Sequence, residues 1–107
     1  SKNYVDHNET KYELSGWNVL PKNILEKDIS HFVFAIQNND HFEYFIFSRV
    51  EFEQIFKDKF SNNDKHLHFY FAIDYYGNGV EHRSEELDVT KYHNNWSSIV
   101  EFINRLN

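Results

Sequence analysis

From residue 31 to residue 60 the chain runs HFVFAIQ, NNDH, FEYFIFS and RVEFEQIFKDKF, two apolar runs split by a polar tetrad and followed by a mixed segment. In an extended strand alternate side chains point to opposite faces. Phe32, Phe34 and Ile36 then share one face of the first run, with Val33 and Ala35 on the other. In the second run Phe42, Tyr44 and Ile46 oppose Phe45 and Phe47. Apolar side chains on both faces predict strands covered on both sides and internal to a sheet. Asn38, Asn39, Asp40 and His41 supply the turn chemistry of a hairpin. Ser48, with Glu51 three residues later, has the pattern of a capping box and predicts a helix start. Phe52, Ile55, Phe56 and Phe60 share one face of that helix, while Glu53, Lys57 and Asp58 face water.

Periodicity is weaker elsewhere. Residues 1–15 are polar apart from Tyr4, Val5, Tyr12 and Leu14, which predicts an irregular arm. GWNVL, residues 16–20, reads as a short edge strand ended by Pro21, and residues 21–29 as one or two helical turns with Ile24, Leu25 and Ile29 turned inward. Residues 61–65 (SNNDK) form a loop. Residues 66–76 predict a third long strand, with Leu67, Phe69, Phe71, Ile73 and Tyr75 on its apolar face and His66, His68, Tyr70, Ala72 and Asp74 on a wetter one. Asn78-Gly79 signals a hairpin turn, residues 80–83 a short edge strand, and residues 84–90 an irregular extension. Asn94 or Asn95 would cap a last helix whose Trp96, Ile99, Val100, Ile103 and Leu106 dock on the sheet. The expected fold is α+β, an antiparallel or mixed sheet of four to five strands with two helices packed against it, in one domain over residues 16–107.

Composition narrows the function classes. Aromatic residues make up 19% of the 107, with 11 Phe, so rings build the core. The absence of cysteine excludes disulfides, Cys-ligated zinc and thiol chemistry, and points to the reducing cytoplasm. No apolar run approaches the roughly 18 residues of a membrane span. A net charge of −6 is opposite to the basic footprint of an autonomous nucleic-acid binder. The chain has no Met and starts at Ser1, so either an initiator Met was removed or this is a piece of a longer protein.

Two constellations carry candidate chemistry. His66 and His68 project from the same strand face, where two imidazoles reach one divalent metal, and His82 comes across from the next strand. Asp74 lies about 20 Å further along, too far to share that metal. Asp74 with Glu81-His82-Arg83 follows the layout of metal-dependent nucleases, in which acids on two adjacent strands hold Mg²⁺ and a nearby Lys assists water. Arg83 stands where the Lys is wanted, and a permanently protonated guanidinium steadies phosphate but is no base. Glu85, Glu86 and Asp88 read as solvated surface. Tyr70, with His66 and His68, is the one candidate base-stacking patch.

The segments WNVLPK (residues 17–22), HFVFAI, EYFIFSRVEFEQIF and YHNNW together resemble the downstream half of restriction-endonuclease-like proteins of the PD-(D/E)XK class. The resemblance runs from Trp17 to Trp96. It implies that metal-binding acids precede this stretch, with Lys2 at most a remnant of the family's lysine. No complete Asp…Glu-x-Lys set stands before Trp17, which implies a C-terminal piece or a relative that kept the fold and lost the chemistry. The leading expectation is a non-catalytic domain of a DNA-processing or phage-defence protein, contacting DNA or a partner. A small acidic interaction module for a basic protein, such as an immunity protein or nuclease inhibitor, is the alternative. A metal-dependent hydrolase is the third.

Overall fold

A computed structural model of the chain describes residues 2–3, 12–61 and 63–106. Its strands are β1 (Lys2–Asn3), β2 (Tyr12–Pro21), β3 (His31–Asn38), β4 (His41–Ser48), β5 (His66–Asp74), β6 (Gly79–Glu81) and β7 (Leu87–Asp88). Its α-helices are α1 (Arg49–Ile55) and α2 (Ser97–Leu106), and 3₁₀ turns cover Lys22–Glu26, Lys57–Phe60 and Thr90–Tyr92. The class is α+β, as expected. Five strands form one antiparallel sheet in the order β1-β2-β5-β6-β7, while β3 and β4 pair only with each other.

The separate hairpin corrects the expectation of internal strands. Both its faces are apolar because each meets a different layer. Phe32, Phe34, Phe45 and Phe47 turn towards the five-stranded sheet, while Tyr44 and His31, on the other face, meet Trp96 and Phe102 of the α2 region. Val33, on that other face, stays 46% exposed against 3% for Phe34.

The core is a layer of interleaved rings. Phe34 lies 4.8 Å from both Phe69 and Phe71, Phe45 stacks on Phe71 at 4.9 Å, and Phe52 stacks on Phe32 at 4.0 Å. Each such pair adds about 0.5–1.5 kcal/mol beyond the area it buries. Gly79 is placed by this layer. A Cβ there would stand 2.6 Å from Phe45 Cε1, so the ring fills the space that a side chain would need.

Local signals explain most boundaries. Ser48 Oγ accepts from Glu51 N and the Glu51 carboxylate accepts from Ser48 N, the reciprocal box read from the sequence. The helix it starts is only seven residues long and continues as the Lys57–Phe60 3₁₀ turn. Phe52 and Phe56 are buried, with Ile55 and Phe60 packed beside them. Pro21 closes β2, and Ile24, Leu25 and Ile29 lean on the core. Arg49 ties that turn down by donating to the carbonyls of Lys27, at 2.7 Å, and Leu25.

Several expectations are corrected. Tyr12 and Leu14, assigned to a polar arm, belong to the ten-residue β2, and that strand lies inside the sheet between β1 and β5. The pairing Leu14↔Ile73 and Leu20↔Leu67 puts both leucines on the core face, and Trp17 faces the other way. Residues 4–11 of that arm lie outside the described residues. In the turn after β5 the positive φ of 86° falls on Gly77, and Gly79 belongs to β6. β6 is not an edge, because residues 87–88 pair outside it as β7.

The last helix departs most. Asn94 takes φ 51° and, instead of capping α2, bridges to β4: its N–H donates to Tyr44 O at 2.7 Å and its Oδ1 accepts from Tyr44 N at 3.2 Å. His93 bridges Phe45 beside it, and His93 Nε2 meets Glu43 Oε1 at 2.8 Å. His31 Nε2 bonds Ser98 Oγ at 3.1 Å on the same face. This rotation leaves Trp96 45%, Val100 54%, Ile103 50% and Leu106 70% exposed, so most of the predicted docking stripe faces outward. No helix among the described residues is long and apolar enough to cross a membrane.

Candidate functional site

β5 and β6 part company at Glu81, and a site forms in the gap. Glu81 pairs with Phe71, on the core face of β5. Beyond it the main chain leaves the ladder, and the Glu81 side chain takes over: Oε2 accepts from Tyr70 N at 2.9 Å and from Arg83 N at 3.1 Å. Oε1 stands 3.1 Å from Lys59 Nζ. Lys59 comes from the 3₁₀ turn after α1, where Phe56 and Phe60 anchor the backbone and leave the lysine stem lying across Phe69, its Nζ 4.9 Å from the ring centre. Nζ also donates to His68 O at 2.9 Å. A carboxylate at 1% exposure is thereby satisfied by an ammonium and two backbone N–H groups, the condition under which buried charge is tolerated.

This ion pair floors a cavity of about 230 Å³ between the end of α1, the start of β5 and the β6–β7 connection. Ile55, Phe56, Leu67 and Leu87 give it apolar wall. His66, His68, Arg83 and Ser84 stand around it, with carboxylates Asp58, Asp64 and Glu85. Trp17 Nε1 donates to His68 Nδ1 at 3.3 Å and the two rings stack. An accepting Nδ1 places the proton of the neutral ring on Nε2. Burial, and then the Arg83 charge, push the His68 pKa down from its ordinary value, which favours that neutral form. Arg83 donates from Nη1 to Tyr70 Oη at 2.6 Å and lies over the Tyr70 ring at 5.0 Å.

The structure brings four of the five sequence candidates, His66, His68, Glu81 and Arg83, to this one cavity. Asp74 is elsewhere. Its Oδ1 accepts from Tyr76 N and Asn78 N, both at 2.9 Å, so it builds the β5–β6 turn. The backbone N–H of Asn78, first among these bonds, holds its carboxyl below the usual carboxylate range. The register puts Asp74 three residues beyond the partner of Glu81, about 10 Å along the strand. The two acids of the nuclease layout therefore do not converge. Among the described residues no group of three His, Asp or Glu side chains is placed to hold a metal, so His66 and His68 gain no third ligand there. His82 stacks on Tyr12 at 4.6 Å and is not among the residues lining the cavity. Tyr70, the candidate stacking surface, is covered by Arg83 and meets the edge of Trp17.

Sequence reasoning missed Lys59 and Trp17 as site residues. Lys59 sits in the charged run KDKF and reads as solvated. A signal was present in Glu81, an acid in a strand whose three residues are all buried, which requires a cationic partner. No family model, no curated protein and no solved structure matches the chain.

Proposed function

We propose that the chain is a non-catalytic interaction domain of a DNA-processing or phage-defence protein, working through contact with a protein partner. The observation that carries this reading is the engagement of both nuclease-like acids in structural roles: Asp74 in a turn, Glu81 in an ion pair. A divalent cation at Glu81 would have to evict Lys59 and two backbone donors. The net charge of −6 disfavours DNA as the contact and favours a basic protein. The setting in DNA processing or phage defence follows from the resemblance to restriction-endonuclease-like chains. An acidic immunity or inhibitor module is the second reading. Asp58 and Glu85 favour it, since their carboxylates line the cavity and make no hydrogen bond or ion pair among the described residues.

The test has two arms. Plasmid DNA incubated with the protein and Mg²⁺ or Mn²⁺ is expected to stay intact, and labelled duplex in low salt to show no saturable binding. Co-expression with the products of neighbouring genes is expected to yield a complex on size-exclusion chromatography that weakens as salt rises. Metal-dependent cleavage that disappears in Glu81→Gln would overturn the non-catalytic reading.

A further inference from the structure

The cavity above the Lys59–Glu81 pair is too small for most cofactors. Sites for drug-sized ligands span roughly 300–1,000 Å³, and this one holds about 230 Å³. A single side chain or fragment is the fitting size. Charge selects its sign. Four carboxylates line the cavity, Asp58, Asp64, Glu81 and Glu85, against two permanent cations, Lys59 and Arg83. Glu81 and Lys59 cancel each other. Arg83 is drawn aside onto Tyr70. His68, with Trp17 donating to its Nδ1, adds no positive charge in its neutral form. The field left inside is negative, and it lies against apolar wall from Ile55 and Leu87. Anions such as phosphate are repelled. A bare divalent ion lacks a convergent ligand set among the described residues. What remains is a cation on a short hydrocarbon stem, which buries its methylenes and keeps its head among carboxylates.

We propose that this cavity receives one basic side chain, an arginine or a lysine, presented by a partner protein. The inference rests on the partner-contact reading above and names the chemistry of the contact. Guanidinium is the better head group, because its planar fork engages carboxylates in pairs while its face rests on apolar surface.

The test uses the full chain, ¹⁵N-labelled, titrated with N-acetyl-arginine amide, N-acetyl-lysine amide and the neutral near-isostere N-acetyl-citrulline amide. The arginine derivative is expected to shift the amides of Lys59, Glu85 and Leu87 saturably, and citrulline to bind about tenfold more weakly for loss of the charged hydrogen bonds. Asp58→Asn with Glu85→Gln should weaken the arginine effect about tenfold on the same grounds. Both residues are exposed, so an unchanged melting temperature is expected for that variant. Glu26→Gln with Asp28→Asn, two exposed carboxylates outside the cavity, should leave binding unchanged. Equal binding of citrulline, or shifts spread over the acidic surface and indifferent to Asp58 and Glu85, would overturn the proposal. A partner complex that survives the Asp58/Glu85 change intact would overturn this inference alone. Arginine binding in a protein that forms no partner complex would overturn only the functional reading.

Discussion

Lys59 Nζ lies 3.1 Å from Glu81 Oε1, with the lysine side chain 12% and the glutamate side chain 1% exposed. Removing one member of such a pair strands the other charge, which costs about 3–5 kcal/mol. Lys59→Met should therefore lower stability by that amount in urea denaturation. The double change Lys59→Met with Glu81→Leu removes both charges but leaves Tyr70 N and Arg83 N without their acceptor, a loss of about 1–3 kcal/mol. The double variant is thus expected to be more stable than Lys59→Met alone. The reverse order would mean that the pair contributes no more than its packing.

Phe34 and Val33 are neighbours with opposite fates. Phe34 is 3% exposed and touches Phe69 and Phe71, and truncating a buried Phe to Ala costs about 3–5 kcal/mol. Val33 is 46% exposed, and Val33→Ala should stay within about 1 kcal/mol. Chemical denaturation of the two variants measures the contrast, which vanishes if the hairpin does not pack as described.

Ser48→Ala removes one half of the capping box at α1. The expected loss is about 1 kcal/mol, read as a lower denaturation midpoint with an unchanged slope. Ser48→Asp keeps an acceptor for Glu51 N and should recover most of it.

Stability should fall in two steps as pH is lowered. The folded His68 has a depressed pKa, so the unfolded chain takes up this proton first. Its contribution is complete above about pH 6.5 and is lost as pH falls through the lower folded value. Asp74 is likewise depressed, through its bonds from Asn78 and Tyr76. Its contribution is complete above about pH 4 and is lost below. Urea midpoints across pH should show both slopes, with His68→Gln flattening the upper and Asp74→Asn the lower.

The parts of the fold legible in the sequence were those set locally. Ser48 and Glu51 lie three residues apart and make their box without help from elsewhere. The alternation of Phe32, Phe34 and Ile36 marks a face whatever lies opposite. What lay opposite was not legible. Phe45 and Ile46 are both fully buried, a pattern equally consistent with an internal strand and with a hairpin sandwiched between a sheet and a helix. Asn94 has the composition of a cap, and only its distance of fifty positions from Tyr44, closed by the fold, turned it into a bridge. The site divides the same way. His66 and His68 fell on one face by the period of a strand, whereas Lys59 reached Glu81 across 22 positions and left no periodic trace.

The bridge at Asn94 also governs how copies of this molecule meet. A two-stranded ribbon offers its margins to any passing backbone, and fibres grow when that offer is accepted. On the β4 side, Asn94 occupies both main-chain groups of Tyr44, and His93 sits against Phe45. An incoming chain would have to dislodge the whole segment leading into α2 before it could zip on. The same few atoms that seat the last helix therefore keep each molecule discrete at high concentration.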